Sequence, residues 1–207
     1  MRILLVLAAL IASPAPDVTK LILTPAQVGS GYVLLQRRDG FGVTNTVTMD
    51  LCGRTGYRSE ALRTARLQVN YLKSRSTLGL SNEVVVYKKG GAAQAIREAI
   101  HHAQTCPTKP ILSGDPTLPP LRFTITRLTS SKLLQGYLAV RVRVTGTVRG
   151  KHVDQTSYAV YQRLGNVLSG TYSFGPNTKE QLRFVLHAAQ QSASNLLRGR
   201  ASGGPTA

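Results

Sequence analysis

The fold depends first on residues Ser81 to Cys106, SNEVVVYKKGGAAQAIREAIHHAQTC. The β-branched run from Glu83 to Tyr87 is typical of a strand packed within a sheet. Gly90–Gly91 break that strand, and an alanine-rich segment with helical spacing then leads to Cys106. The predicted strand, turn and helix therefore place Cys106 at the far end of the helix.

The segments on either side of that strand have periodic patterns of their own. In the helix, small side chains recur three and four positions apart, which predicts a narrow buried stripe made of Ala92, Ala95, Ile96, Ala99, Ile100 and Ala103. Upstream, apolar residues alternate with polar ones from Ala65 to Leu72. This alternation predicts a half-buried strand whose second face carries Arg66, Gln68 and Asn70.

The rest of the chain adds strands and a second long helix. Thr24 can cap a short helix that starts at Pro25 and ends at Gly29. Further strands are predicted over 32–37, 121–128, 136–148, 151–163 and 166–174, with a proline-rich crossover over 107–120. A final amphipathic helix over 176–197 buries the stripe Leu182, Val185, Leu186, Ala189, Ala193, Leu196 and Leu197.

These elements predict an α+β fold. Two amphipathic helices each need a sheet surface that covers one apolar stripe, and about seven largely antiparallel strands provide it, together with the short N-terminal helix. A chain of 207 residues suits one domain of ordinary size, which we place at residues 20–198. Residues 199–207 are mostly small, and they predict a disordered tail.

The N-terminus predicts export. Arg2 precedes an apolar stretch from Ile3 to Ala12, and small residues follow, which is the pattern of a signal peptide covering residues 1–16. A membrane-spanning helix needs about 20 apolar residues, so no transmembrane anchor is predicted here. The expected location is secreted or extracytoplasmic, within the cell envelope.

The two cysteines, Cys52 and Cys106, form a disulfide if the chain is exported, since such compartments are oxidising. Closing a loop of about 50 residues would stabilise the fold by about 4 kcal/mol. Two buried unpaired thiols are the alternative. A catalytic or metal-binding role is disfavoured because the chain has no Cys-x-x-Cys spacing and no paired histidines to support it.

The charge balance points to polyanions without choosing among them. The chain has 26 Lys plus Arg against 9 Asp plus Glu, a formal net charge of +17. Such a charge attracts anionic lipid surfaces, acidic polymers and nucleic acids alike. No run of five or six basic residues is present, so specific nucleic-acid binding is not predicted, while association with a membrane surface stays possible. A simply solvated basic surface is the alternative.

A candidate ligand-binding face lies on the strands near the middle of the meander. Arg141 and Arg143 share the polar side of one strand, and Arg122 or Arg127 from the preceding strand can join them. Arginine binds carboxylate and phosphate through two parallel hydrogen bonds, so the face suits an anionic ligand. Its alternative is a solvated face whose arginines protect the sheet from aggregation.

Catalytic and cofactor motifs are not found. The sequence has no nucleophile elbow, zinc-binding His-Glu-x-x-His, phosphate loop or dinucleotide fingerprint, so no catalytic residue, metal ligand or cofactor is predicted. Neighbouring helical positions do not share a face, so one of His101 and His102 should lie at the surface and the other at a rim. His152 and His187 are interpreted as structural.

Several of these features together resemble a known family. They are the opening Leu-Thr-Pro-Ala-Gln-Val-Gly of Leu23–Gly29, the block Ser81–Tyr87, the alanine-rich helix leading to Cys106, and a strand meander closed by a helix. This order resembles the actinobacterial PknH-like extracellular sensor domain family. The resemblance implies an antiparallel-sheet domain with a ligand cleft and no catalysis. It also implies the Cys52–Cys106 bond, whereas a second disulfide of that family has no counterpart here.

Three hypotheses follow. The first is an exported, non-catalytic, sensor-like domain that binds an anionic or amphipathic envelope ligand in a cleft and signals through a partner, since the chain has no kinase domain. The second is an envelope hydrolase or transferase, which a pocket with a histidine and a carboxylate within about 3 Å would favour. The third is a partner-docking domain, which an exposed apolar patch above about 600 Å² would favour. The sequence does not predict the oligomeric state.

Overall fold

The computed structural model describes residues 16–36, 40–44, 51–53, 56–74, 77–112, 117–175 and 179–202. The strands are β1 (Tyr32–Gln36), β2 (Arg63–Lys73), β3 (Gly79–Tyr87), β4 (Arg122–Leu128), β5 (Leu138–Val148), β6 (Lys151–Leu164) and β7 (Val167–Phe174). The helices are α1 (Val18–Leu21), α2 (Pro25–Val28), α3 (Gly91–Gln104) and α4 (Lys179–Ser202), with short 3₁₀ turns at Leu51–Gly53 and Arg58–Leu62.

Within the described ranges, seven strands form one antiparallel sheet in the order β1-β2-β3-β7-β6-β5-β4. The hairpin β2-β3 and the meander β4 to β7 meet where β3 pairs with β7. This long-range pairing joins the two halves of the chain into one sheet. The α+β prediction, with about seven strands and two long helices, is confirmed.

Helices cover both faces of the sheet. On one face, here called the α4 face, Leu67, Val84 and Val160 belong to one core cluster with Val185 and Leu196 of α4. On the other, the α3 face, strand residues pack with the predicted alanine stripe; they include Val85, Leu138, Val140, Tyr161 and Leu168. Each fully buried Val or Leu side chain contributes roughly 1.5–3 kcal/mol, so the two clusters stabilise the sheet from both sides.

The small residues of α3 let that helix lie close to the sheet, as predicted. Ala92, Ala95 and Ala99 are fully buried. At Gly91 an added Cβ atom would lie 2.7 Å from the Cβ atom of Tyr87, which is closer than real side chains come. The residue before it, Gly90, has a φ of 81°, a conformation that glycine adopts without steric cost. The two glycines therefore allow the tight strand-to-helix turn.

The disulfide fastens the far end of α3. Cys52 lies in the buried 3₁₀ turn and bonds to Cys106, with 5.7 Å between the two Cα atoms. That separation lies within the ordinary range for a disulfide. The bond connects the C-terminal end of the helix to a segment 54 residues earlier in the chain.

Hydrogen bonds from distant side chains hold the N-terminal segment. Asn82 of β3 accepts from the backbone N–H of Leu23 at 2.9 Å, and Tyr71 donates to the Leu23 carbonyl at 2.7 Å. Asn195 of α4 donates to the carbonyls of Leu21 and Ile22. Burial raises the pKa of Tyr71 to about 12, so this hydroxyl keeps its proton and its role as donor. These bonds place the predicted α2 and the unpredicted α1 on the core.

The second face of β2 differs from the prediction. That face was predicted to be polar and exposed, but Arg66 is only 2% exposed. Its guanidinium binds the equally buried Glu83 of β3. The pattern of the strand indicated its apolar face correctly and gave no sign that the other face is also covered.

The ends of the chain show two further differences. The final helix runs to Ser202, beyond the predicted start of the tail, and an added Cβ atom at Gly199 would lie 2.4 Å from a methyl carbon of Leu21. Leu197, placed in the buried stripe by its spacing, is 50% exposed. The predicted signal peptide lies almost wholly outside the described residues. No helix in the described part of the chain has the length and hydropathy needed to cross a membrane.

Candidate ligand-binding groove

An open groove of about 790 Å³ lies on the α4 face. One wall is the loop that connects β4 to β5, and the other is a side of α4. The residues that line it are Thr129, Ser130, Ser131, Lys132, Tyr137, Arg183, Leu186, His187 and Gln190.

The helical wall follows from the period of α4. Arg183, Leu186, His187 and Gln190 are three or four positions apart, so they form one row along the helix. The opposite row, which includes Val185 and the alanines at 188 and 189, is fully buried against the sheet. Burial of one row thus presents the other to the groove, with Arg183 and His187 exposed.

The loop wall is held in place by its own hydrogen bonds. The backbone N–H of Ser130 donates to the hydroxyl of Tyr137 at 2.7 Å, which connects the start of the loop to its end. Gly136 has a φ of 76°, so it turns the chain back into β5. Leu133 and Leu134 pack against the α4-side core, which anchors the middle of the loop.

One buried amide connects the two walls. Gln162 of β6 is fully buried; its carbonyl oxygen accepts from the N–H of Leu134 at 3.0 Å, and its amide nitrogen donates to the Ala189 carbonyl of α4 at 2.8 Å. Since buried polar groups need such partners, this side chain sets the distance between the loop and the helix.

The groove has the chemistry of an anion site. Lys132 and Arg183 bring positive charge, His187 adds ring nitrogens, and Thr129, Ser130 and Ser131 bring hydroxyls. Among the lining residues that the structure describes, none is acidic. Glu180, one turn before Arg183, makes an ion pair with Lys73 at 2.8 Å. Cationic groups and hydroxyl donors together suit a carboxylate or a phosphate group.

The structure brings three of the four predicted arginines to this face. Directly opposed residues of an antiparallel pair share a face. Arg141 follows Ala139 by two positions on β5, and Ala139 packs in the α4-side core. Arg143 and Arg122 continue the same side of the β4–β5 pair. Arg141 therefore lies about 7 Å beyond the edge of the core under α4.

Arg127 lies on the other face. Its partner on β5 is Val140, which belongs to the α3-side cluster. Side chains alternate between the two faces along a strand, and Arg122 and Arg127 are an odd number of positions apart. They therefore lie on opposite faces, although both are exposed residues of one strand. The two were alternatives in the sequence analysis, and the register favours Arg122.

Arg143 already has a carboxylate partner. Its Nε and Nη2 atoms donate to the two carboxylate oxygens of Asp154 on β6, at 2.8 and 2.5 Å. The hydrogen bond from Arg143 lowers the pKa of Asp154 below its usual range, so the pair stays ionised at neutral pH. Arg141 instead donates to the hydroxyl of Thr126 at 3.3 Å. A ligand would meet Arg141 and Arg122 more readily than Arg143.

The cationic groups of the groove itself were not predicted from the sequence. Arg183 and Lys132 were not singled out, and His187 was interpreted as structural. A signal was available, because Arg183 and His187 share the polar row of an amphipathic helix and Lys132 follows three hydroxyl residues in a loop. What the sequence lacked was the pairing that places this loop beside this helix.

The other histidines lie elsewhere. His102 is half-buried and its ring packs against that of Tyr57 at a tilt of 46°, with 4.5 Å between ring centroids; His101 is exposed, in keeping with one rim and one surface position. On the same side, Glu98 accepts hydrogen bonds from the N–H and hydroxyl of Ser59. Burial alone would raise the pKa of Glu98, but the bonds from Gln94 and Ser59 outweigh it and lower the pKa.

Metal binding has no support in the described residues. No three His, Cys, Asp or Glu side chains among them are grouped so that they can hold an ion.

Comparison with known proteins agrees with the fold. No protein-family model and no curated protein matches the sequence. Among solved structures, the extracellular domain of PknH from Mycobacterium tuberculosis is similar, with a TM-score of 0.52 and 12% sequence identity. The match covers 88% of this chain and 100% of that domain. The two share a fold.

Proposed function

We propose that this protein is an exported, non-catalytic, sensor-like domain whose groove binds a phosphate or carboxylate group of a cell-envelope molecule. One observation carries the proposal: Lys132, Arg183 and His187 converge on a groove that has hydroxyl donors and no acidic residue among its described lining. A site of this composition would repel cations and bind anions.

The surroundings of the groove add to its attraction for anions. The chain carries a formal net charge of +17, which steers anionic molecules toward the protein. On the same face, Arg141 and Arg122 extend the positive surface beyond the groove. A ligand with several anionic groups would therefore bind along the groove and the adjoining strands.

An extracytoplasmic location has two supports. The disulfide requires an oxidising compartment to persist, and the similar solved structure is an extracellular domain. Within an envelope, anionic groups belong to lipid headgroups and to soluble phosphate or carboxylate compounds, and the groove chemistry suits both sources.

The hydrolase or transferase hypothesis gains less support. His187 lies in the groove, but no carboxylate is among the described lining residues, so the acid–base pair that hydrolysis needs is not assembled there. Binding of an anion without catalysis accounts for the same lining residues more simply than hydrolysis does.

The double variant Lys132→Gln/Arg183→Gln tests the proposal. We expect it to bind phosphatidylglycerol-containing vesicles or soluble glycerol phosphate at least about 100-fold more weakly, because it removes two charge-assisted hydrogen bonds of about 1.5–3 kcal/mol each, and about 1.4 kcal/mol corresponds to a factor of ten. Isothermal titration calorimetry with each probe distinguishes a lipid from a soluble ligand.

The matched control is Arg97→Gln/Lys109→Gln, which removes the same charge from exposed positions in and after α3. It should bind as the wild type does. If both double variants lose affinity equally, the net charge and not the groove determines binding. The wild type should bind each probe more tightly than an uncharged analogue of that probe. If it does not do so for either probe, the groove does not recognise anions and the proposal is wrong.

A further inference from the structure

The two edges of the sheet are protected very differently. The β4 edge carries Arg122 and Arg127, and Pro119–Pro120 precede it. Charged residues and prolines are common devices that stop an edge strand from pairing with another chain. The β1 edge, Tyr-Val-Leu-Leu-Gln over Tyr32–Gln36, has neither a charge nor a proline.

The β1 edge is also apolar and exposed. Val33, Leu34 and Leu35 are 52%, 40% and 50% exposed. Within the described ranges, no strand pairs with the outer side of β1. Such an edge presents unpaired backbone N–H and C=O groups between apolar side chains on both faces, which is a template for another strand.

We propose that β1 pairs antiparallel with β1 of a second copy of this chain, with Leu34 on the two-fold axis. The sequence of the strand is self-complementary in that register. Leu34 meets its own counterpart, Val33 meets Leu35 of the other copy on the α3 face, and Tyr32 meets Gln36. Every exposed apolar side chain of β1 thereby gains an apolar neighbour, and the two sheets become one.

Charge favours this edge over the rest of the surface as the place of contact. Two copies of a chain with a net charge of +17 repel each other, and the repulsion is strongest where basic residues face each other. Along β1 no charged side chains oppose each other. The β4 edge would instead place Arg122 and Arg127 against the second copy, where like charges destabilise pairing.

The size of the contact sets the expected affinity. Five residues per copy fall well short of the roughly 20 residues a side of a stable interface. The dimer should therefore be weak, with a dissociation constant on the order of 100 µM, and salt should strengthen it by screening the repulsion.

Sedimentation equilibrium across a range of concentrations tests the pairing. Leu34→Lys places two ammonium groups on the axis, and we expect it to weaken self-association at least tenfold. The control Thr124→Lys adds the same charge to an exposed position at the centre of β4 and should leave self-association unchanged. Both positions are exposed, and circular dichroism checks that both variants fold.

Mixing variants tests the register. Since position 34 faces position 34, an equal mixture of Leu34→Lys and Leu34→Glu should associate more tightly than either alone. A wild type that stays monomeric at millimolar concentration would overturn the proposal. So would equal self-association in Leu34→Lys, or no gain in the mixture. Binding of β1 to neutral lipid vesicles without any self-association would overturn it too and assign the edge to a membrane surface.

Discussion

Two arginine–carboxylate pairs lie on opposite faces of the same sheet and differ in almost every physical respect. Arg66 and Glu83, on the α3 face, have side chains that are 1% and 2% exposed. Arg143 and Asp154, on the α4 face, are 56% and 41% exposed. Each pair joins neighbouring antiparallel strands, and each arginine comes from a strand that alternates polar with apolar residues.

The buried pair is part of a larger network. Besides Glu83, the guanidinium of Arg66 donates to the side-chain oxygen of Gln68 at 2.5 Å and to the Gly42 carbonyl at 3.4 Å. The second oxygen of Glu83 accepts from the hydroxyl of Tyr172 at 3.3 Å. Buried charges are tolerated when their hydrogen-bonding groups are satisfied in this way. Cover from other segments, and not the polar–apolar pattern of a strand, therefore decides how much an ion pair contributes to stability.

The largest effect is expected from Arg66→Met, because it leaves the Glu83 carboxylate buried without its cation. We expect it to lower the free energy of unfolding by about 3–5 kcal/mol, measured by urea denaturation. The double variant Arg66→Met/Glu83→Gln should recover part of the loss, since it removes both charges. A loss no greater than that of Arg143→Met would erase the difference between the two pairs.

A smaller effect is expected from Gln162→Leu. This variant tests whether a buried polar side chain on the α4 face also contributes to stability. The variant removes the bonds to Leu134 and Ala189, and we expect a loss of about 1–3 kcal/mol. Urea denaturation measures it, and titration with glycerol phosphate reports the effect on the groove. The control Gln104→Leu, at an exposed position in α3, should change stability by less than about 0.5 kcal/mol. Equal effects of the two substitutions would contradict the bridging role of Gln162.

An intermediate effect is expected from Asp154→Asn, and it concerns ligand binding. It releases Arg143 from its carboxylate partner, so we expect binding to phosphatidylglycerol vesicles to strengthen about twofold to fivefold. Vesicle co-sedimentation measures the change. Asp17→Asn alters the net charge equally at the start of α1 and keeps a residue that can cap the helix, so it should have a weaker effect. If both raise affinity alike, the arginine face has no special part in binding.

The smallest effect is expected from Arg143→Met, which should lower stability at pH 7 only slightly, because solvent screens an exposed pair. Its consequence appears in the titration of Asp154. The hydrogen bond from Arg143 lowers the pKa of that carboxyl below 3.8, so the contribution of the pair is present above pH 3.8 and is lost as pH falls through the lowered pKa. In the variant the pKa should rise toward 3.8, as followed by carboxyl NMR. An unchanged pKa would mean that the two side chains do not pair in solution.

Local pattern was sufficient for much of the fold. Tyr32 to Gln36, the β2-β3 hairpin and the four strands of the meander were predicted near their observed positions, because their alternation and turn residues act over a few neighbours. The capping box of Thr24 and Gln27 and the alanine stripe of α3 are local signals too. α1 was missed, since a four-residue helix whose end is held by a hydrogen bond from Asn195 to the Leu21 carbonyl has little pattern of its own.

Only some residues of the candidate site could be predicted from the sequence. The alternation of side chains along β5 placed Arg141 and Arg143 on one face. It could not show whether Arg122 or Arg127 shares that face, because this depends on the register between β4 and β5. Arg183 and Lys132 are about 50 positions apart, and no local rule connects a helix with a loop so distant in the chain. Their meeting depends on the order of the strands and on Gln162.

The amino-acid sequence alone determined the strands, the two long helices, the strong positive charge and the two cysteines available for one crosslink. Tertiary structure decided which charges are buried, which arginines share a face, and where a groove opens. The physical reason is range: backbone propensity and side-chain period act between neighbours in sequence, whereas burial and electrostatic pairing depend on segments that meet only after the sheet has formed.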